Sequence, residues 1–549
     1  MNKNHFKFWP PRLSKSLTIP KTTIYDNLVI STKKYPDKIA IHYYGRSITY
    51  TELLEEVEIL AGYLKKKLGV EKQEKVLLFM QNSPQYLISF FAILRLRAVV
   101  VPINPMSTTQ DLAFYVKDCN INYAIIGEEL YDNIVPLIKE TSLNNIIVTS
   151  YSEYSGEYNE NNDFKPNLAN NNQKLSNVIF WKDALSETYQ IDEYDGLEDD
   201  VAMIPYTSGT TGMPKGCIHP NRTIQANTVG ASLWMNMTAD AIPLLTLPLF
   251  HVTGLIHSAL APIQSGSTIV MMTRWNRDYA AKEMERHGCT HWINISTMLI
   301  DFLSNPNMNS YSLSSLQVIG GGGAPLPEAV GEQLYERTGL RYYEGYGLTE
   351  TISHTHFNPP NRPKLQCLGI PSFDVDARVI DLATGSEVGP HELGELVVNG
   401  PQVFSGYYNR EDENKVSHIE IDGKQFFRTG DIVKMDEEGY FFIVDRLKRM
   451  INASGFKIWP TEVEAILYKH PAVEQACVVS APDKKRGETV KAFIILKTDF
   501  IGKIKEDEII EWSKSQMAAY KYPRIIEFVE SFPTTSSGKI LWRELQEKS

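Results

Sequence analysis

Tyr206-Thr-Ser-Gly-Thr-Thr-Gly-Met-Pro-Lys-Gly216 packs three glycines, four Ser/Thr hydroxyls and one lysine into eleven positions. The apolar residues 201–205 lead into it and read as a short strand. Glycines let the chain turn tightly and bring backbone N–H groups close to an anion. The hydroxyls add donors and Lys215 adds charge, so this is chemistry for holding phosphates. A Walker A loop needs Gly-Lys-Ser/Thr after a four-residue gap and then a helix. Here Pro214 precedes the lysine and Gly216 follows it. The alternative is a flexible surface loop, and so many special residues after a strand weigh against it.

Outward from this stretch, 549 residues exceed what one growing core accommodates, so at least two domains are expected. Hydrophobic residues at 43% and charged residues at 22% suit a globular protein in water. A net charge of −11 speaks against general binding to nucleic acid or anionic membranes. Cys119, Cys217, Cys289, Cys367 and Cys477 are isolated, with no zinc spacing and no disulfide framework, which points to a cytoplasmic location. Residues 1–20 lack the apolar core of a signal peptide. The most apolar run, 87–103, is broken by Arg95 and Arg97 and reads as a buried helix followed by a strand, not a membrane span. A peripheral membrane contact is left open, as is a homodimer.

The order of elements predicts an α/β fold. Residues 23–34 read as an amphipathic helix, and 39–43 with 46–50 as a hairpin turning at Tyr44-Gly45. Leu53, Val57, Leu60, Leu64 and Leu68 mark the buried face of a long helix, with Thr51 as its expected N-cap. From 75 to 127, strands (76–80, 98–102, 123–127) alternate with helices, the pattern of a parallel sheet with helical crossovers. Residues 151–175, with seven Asn, read as an exposed insertion. Further strands are expected at 244–251, 267–272, 291–295 and 316–320, and helices at 255–263 and 279–287. Short alternating segments from 374 to 442 suggest a β-rich subdomain, and the last hundred residues a compact α+β unit. The expected division is 1–446 and 447–549.

Four other stretches carry chemistry. Gly320–Gly323 with Ala324 follow a strand and present bare backbone. Tyr343-Glu-Gly-Tyr-Gly-Leu-Thr-Glu350 supplies an aromatic face (Tyr346), an acceptor (Glu344), a hydroxyl (Thr349) and a carboxylate suited to Mg²⁺ (Glu350). Arg428-Thr-Gly-Asp431 sets a carboxylate after a glycine turn, and Asp445-Arg-Leu-Lys-Arg-Met-Ile451 clusters cations between two regions of different composition. Pro533-Thr-Thr-Ser-Ser-Gly-Lys-Ile540 ends the chain's motifs on Lys539.

Together these motifs resemble those of the adenylate-forming superfamily, which comprises acyl-CoA synthetases, luciferase-like enzymes and the adenylation domains of peptide synthetases. The likeness runs from about residue 36 to 540. It implies a large N-terminal domain that binds AMP and a small, mobile C-terminal domain carrying the catalytic lysine, Lys539. The phosphate loop is then Thr207, Ser208, Gly209, Thr210, Thr211, Gly212 and Lys215. Tyr346 stacks on adenine against Gly322, Gly323 and Ala324, Glu344 meets the adenine amino group, and Gly345 and Gly347 lie beside them. Thr349 touches the α-phosphate, Glu350 binds Mg²⁺, Asp431 takes the ribose hydroxyls and Arg446 the ribose or phosphates. Lys448 is the hinge, and Ser454, Gly455 and Phe456 meet CoA. His251, in Pro248-Leu-Phe-His-Val-Thr-Gly254, matches a histidine near the carboxylate. With Gly322 and Gly347 it would border the acyl group. Acetate-specific relatives carry Trp where this chain has Gly347, which implies an acyl group longer than propionyl. The Trp that some long-chain relatives carry is Leu255 here.

The implied activity is an ATP-dependent acid–CoA ligase. Its partners are a carboxylic acid, expected to be a medium-chain or longer fatty acid, with ATP, CoA and Mg²⁺. An aryl or hydroxy acid, an acceptor other than CoA, and a nucleotide-binding protein without turnover are the competing readings.

Overall fold

The computed structural model describes residues 4–156, 178–207, 213–454, 456–483, 486–534 and 540–549. Most of the expected 151–175 insertion lies outside the described residues. So do Ser208, Gly209, Thr210, Thr211, Gly212, Gly455 and Lys539.

Two large sheets form the frame. In the first, six strands run parallel in the spatial order Tyr343–Leu348, Val318–Gly322, His291–Asn294, Pro243–Leu245, Ile269–Met271 and Ile39–Tyr43. Antiparallel strands flank them: Ser353–Phe357 and Ile370–Pro371 at one edge, Arg46–Thr49 at the other. The second sheet orders Val178–Phe180, Asn145–Thr149, Tyr123–Gly127, Lys75–Phe79, Val99–Pro102 and Val201–Met203 in parallel. The antiparallel His219–Pro220 strand closes it. Alternation of strand and crossover helix predicts this parallel architecture, and the strands are apolar because helices cover both faces. One apolar cluster spans both sheets: Ile41, Val76, Leu78 and Leu245 pack with Leu53 and Leu60 of the Tyr50–Lys66 helix and Phe90 of Pro84–Arg95. Residues 87–103 are accordingly core, and no helix among the described residues is long and apolar enough to cross a membrane.

Local signals explain many boundaries. Tyr44 (φ 41°) and Gly45 (φ 86°) make the two-residue hairpin turn whose twist suits the flanking strands. Ser83 caps the Pro84–Arg95 helix by accepting from the Tyr86 N–H, with Pro84 at the first position. Two expectations shift. The long helix is capped by Thr49, not Thr51, whose hydroxyl donates to Pro36 O instead. The strand expected over 244–251 is only Pro243–Leu245, and helical structure starts at Val252, before residue 255.

Two five-stranded sheets complete the chain. One contains Asp376–Ile380, Gly394–Asn399, His418–Ile421, Lys424–Met435 and Phe441–Arg446, the expected β-rich subdomain. The other lies wholly within the smaller C-terminal domain, from Ile451–Ala453 to Ile525–Phe528. It packs on the Pro460–Leu467 and Glu506–Gln516 helices through a separate core that includes Val463, Leu467, Val478 and Ile509. The five cysteines are buried and free.

Candidate active site

The phosphate-loop stretch leaves the second sheet after Val201–Met203 and returns to it as His219–Pro220. Its two ends are tied together. Thr207 N–H donates to Lys215 O (2.9 Å), Lys215 N–H donates to Thr207 Oγ1 (3.2 Å), and Tyr206 pairs with Gly216. This is a strand–loop–strand hairpin, unlike the strand-to-helix turn of a Walker A loop. Beneath it, Tyr206 donates its phenol hydrogen to Asp118 (2.6 Å), which Arg410 also holds (2.8 Å).

The glycine run is mostly strand: Gly320–Gly322 finish Val318–Gly322. Gly323 then takes φ +90° with open space where a Cβ would sit, so the turn requires glycine while Ala324 and Pro325 stand exposed. In the neighbouring strand, Glu344 is buried, with its Oε1 accepting from the Gln366 N–H (2.7 Å). Burial pushes its carboxyl up to about 7, against the opposing pull of the Gln366 and Leu326 N–H groups. Tyr346 and Gly347 flank a bulge against Ser353–Phe357. A Cβ on Gly347 would lie 1.6 Å from Ser353 O. Glycine is therefore required there by the approach of the next strand.

Thr349 and Glu350 begin a tight turn that ends in two positive-φ residues, Ile352 (45°) and Ser353 (110°). For a β-branched residue such a φ is strained. Asn227 holds the turn by donating from Nδ2 to Thr351 O (2.9 Å) and Ile352 O (3.2 Å). His219 holds its start, with Nε2 2.8 Å from Thr349 O. Burial lowers His219 to about 4, so it is neutral at pH 7. Its Nδ1 stands 3.1 Å from Thr223 Oγ1, a hydroxyl that donates to Pro220 O (2.9 Å).

Glu350 and Lys215 meet on one side chain. The Tyr407 hydroxyl donates to Glu350 Oε1 (2.8 Å), and the Lys215 ammonium lies 4.1 Å from the Tyr407 ring centroid. The fully buried Asp431 accepts from the Tyr346 hydroxyl and pairs with Arg446 Nε (2.6 Å). Asp431 and Arg446 face each other across adjacent strands. Tyr346, Asp431 and Arg446 are thus one connected group, and Lys215 and Glu350 are another.

Other expected residues make contacts of their own. His251 is exposed and caps the helical segment after it, its Nδ1 accepting from the Thr253 N–H (3.3 Å). Phe456 is exposed and stacks on Tyr520 (centroids 4.7 Å apart), with Ser454 at the turn before it. Lys448 is exposed in the Leu447–Arg449 turn. Partial desolvation, then repulsion from Lys215, Arg543 and Arg446, lowers its pKa. Tyr407, His219 and Asn227 escape the sequence reading, because each acts through a partner far along the chain. A lone Tyr, His or Asn carries no spacing signal.

Residues 29–408 match the model of the family described as AMP-binding enzyme, and 462–539 that of the AMP-binding enzyme C-terminal domain. The long-chain-fatty-acid–CoA ligase of Bacillus subtilis (strain 168) is 33% identical over 98% of this chain and 97% of its own length. A feruloyl-CoA synthase of an Amycolatopsis species is 31% identical over 93% of this chain and 96% of its own. Among solved structures, o-succinylbenzoate coenzyme A synthetase from Bacillus subtilis, in complex with ATP and magnesium ion, superposes with a TM-score of 0.79. It is 26% identical and covers 96% of this chain and 100% of that one.

Proposed function

The chain belongs to the AMP-binding enzyme family and is an ATP-dependent, AMP-forming acid–CoA ligase, and on that premise we propose that its acid is a medium-chain or longer fatty acid. The full-length similarity to a long-chain-fatty-acid–CoA ligase supports that choice of acid. For the reaction, the observation that carries most is the placement of Lys215, Glu350, Tyr346, Asp431 and Arg446 in two adjoining groups around the Tyr343–Glu350 stretch.

In the first half-reaction a carboxylate oxygen attacks the α-phosphorus of ATP in line. A carboxylate–phosphorus bond forms, the bond to the β-phosphate oxygen breaks, and pyrophosphate leaves. A carboxylate is already an adequate nucleophile, so no general base is needed and positioning with charge stabilisation does the rest. Lys215 faces the β- and γ-phosphates, Thr349 the α-phosphate, and Tyr346 with Gly322, Gly323, Ala324, Glu344, Gly345 and Gly347 frames the adenine. Asp431 takes the ribose hydroxyls once Arg446 yields to them. Glu350 is a hard oxygen donor whose carboxylate is oriented by the Tyr407 hydroxyl at Oε1, leaving Oε2 for an ion bound through one or two carboxylates and substrate phosphates. Magnesium held there would neutralise charge on the leaving pyrophosphate. By the motif resemblance, Lys539 brings its ammonium to the carboxylate–phosphate junction, where negative charge builds. In the second half-reaction the CoA thiol attacks the acyl carbonyl and AMP leaves. The C-terminal domain turns about Lys448, between units 1–446 and 447–549. The turn withdraws Lys539 and presents Ser454, Gly455 and Phe456 to CoA.

One observation favours a second reading, a hydroxy or aryl acid. His257 is buried six residues beyond His251, in the π-helical stretch Ile256–Leu260. Its Nε2 meets the hydroxyl of Ser353 (3.0 Å), the residue whose carbonyl oxygen approaches Gly347, while Nδ1 is buried without a hydrogen-bond partner among the described residues. Burial lowers this imidazole to about 3, so it is a neutral group able to meet a hydroxyl.

Pyrophosphate release with Mg·ATP tests both readings over acids of graded chain length, hydroxy acids and aryl acids, each with and without CoA. CoA-dependent turnover that peaks on unsubstituted fatty acids supports the first. A peak on hydroxy or aryl acids overturns it in favour of the second.

A further inference from the structure

We propose that Tyr407 is a positioning residue that keeps Lys215 and Glu350 apart and aimed, so that the cation and the metal carboxylate do not neutralise each other before Mg·ATP arrives. The proposal rests on the reading of Glu350 as the metal group.

Its ground is one side chain touching both. The Tyr407 hydroxyl donates to Glu350 Oε1 at 2.8 Å, and its ring lies under the Lys215 ammonium at 4.1 Å from the centroid. The ammonium stands over the ring face and the carboxylate at its hydroxyl edge, so one side chain touches both charges. Yet neither has an ion-pair partner among the described residues. Opposite charges brought into contact near a protein surface attract strongly enough to compete with ligand. A pair of that strength would hold the ammonium away from phosphate and the carboxylate away from metal. Tyr407 gives each charge a weaker, oriented contact instead: a cation–π interaction for one, a hydrogen bond for the other. With Oε1 committed to the phenol, Oε2 is the oxygen left for the ion.

The backbone fixes the ring without help from ligand. Tyr407 N–H donates to Asn414 Oδ1 (2.7 Å), and Asn414 Nδ2 donates back to Tyr407 O (2.9 Å). On the other side Tyr407 pairs with Cys217, and Tyr408 N–H donates to Gly216 O (2.8 Å), so the residue is laced to the end of the phosphate loop. Phe404 N–H donates to Glu350 O (2.8 Å), which fastens the same segment to the turn bearing the carboxylate.

Titration of Mn²⁺ into the full-length enzyme with a non-hydrolysable ATP analogue, followed by electron paramagnetic resonance, reads the effect without turnover. Tyr407→Phe keeps the ring and loses the hydroxyl. It is expected to weaken Mn²⁺ binding about tenfold, the worth of one hydrogen bond to a charged group, and to raise the Mg²⁺ needed for half-maximal pyrophosphate release similarly. Tyr407→Leu removes the ring as well and is expected to weaken binding of the ATP analogue further. On a Glu350→Gln background Tyr407→Phe should add nothing. Loss of Mn²⁺ binding in Glu350→Gln with none in a folded Tyr407→Phe overturns the proposal and leaves Glu350 as the metal group. Unchanged Mn²⁺ binding in Glu350→Gln overturns that assignment, and the proposal with it.

Discussion

Glu344 is held between opposing demands. Its surroundings are poor in water, which favours the protonated acid, while two backbone N–H groups favour the anion; burial prevails and the carboxyl rests near 7. An acid whose pKa is raised on folding from the ordinary 4.5 contributes fully below pH 4.5 and loses that contribution as pH rises through 7. A shift of this size sets an upper bound of about 3 kcal/mol. Glu344→Gln keeps an acceptor for the backbone and cannot ionise. Between pH 5 and pH 8 the wild-type melting temperature should fall relative to that of the variant; parallel curves would show that the carboxyl is not perturbed. At Gly347 the constraint is steric. A methyl group there meets Ser353 O, so Gly347→Ala must break the pairing of two strands or shift the turn carrying Glu350. Overpacking of this kind costs about 1–3 kcal/mol. Chemical denaturation should show that loss, and pyrophosphate release should fall with it. Unaltered stability would mean that the Ser353–Phe357 strand yields easily. The sequence marks Gly347 as special through its motif. The reason emerges only from a strand that folds back after a strained turn.

Elements were legible where their signals are local. The Tyr44-Gly45 hairpin, the buried Pro84–Arg95 helix and the alternation that builds the parallel sheets all follow from spacing within a few residues. The start of the Tyr50–Lys66 helix shows the margin of error. Thr49 and Thr51 both precede glutamates, and only Thr49 has the three-residue interval of a capping box. In the structure Thr49 Oγ1 accepts from the Glu52 N–H (3.1 Å), and Glu52 Oε2 accepts from the Thr49 N–H (2.7 Å). Thr49→Ala should therefore cost about 1 kcal/mol. Thr51→Ala, which loses only a bond to Pro36 O, should cost less than half of that. Urea midpoints of the two variants decide; the reverse order would restore Thr51 as the cap. The contacts that assemble the site lay beyond such reading. Cys217 pairs with Tyr407 and Asn227 grips Thr351 across long stretches of chain, so only the completed topology brings them together.

At the scale of the whole molecule, the proposed mechanism asks for two placements of one small domain, and the turn Leu447–Arg449 is where the chain passes from one sheet to the other. Its neighbours are fastened. Asp445 accepts from the Thr461 N–H (2.8 Å), and Arg449 pairs with Glu464 and donates to Val478 O (3.2 Å). Lys448 is exposed and has no ion pair among the described residues, so it can change its backbone angles at little cost in contacts. Proline fixes φ near −65° and restricts the preceding residue as well. Lys448→Pro should therefore retain pyrophosphate–ATP exchange while slowing thioester formation from supplied acyl adenylate by about a hundredfold, the scale of a misplaced reacting group. Undiminished thioester formation would place the pivot elsewhere. Lys539→Ala should give the opposite pattern, losing the exchange and keeping the transfer. Loss of stability depresses both half-reactions together. Reciprocal losses in the two variants can arise only if Lys539 serves the first step and the freedom at Lys448 serves the second.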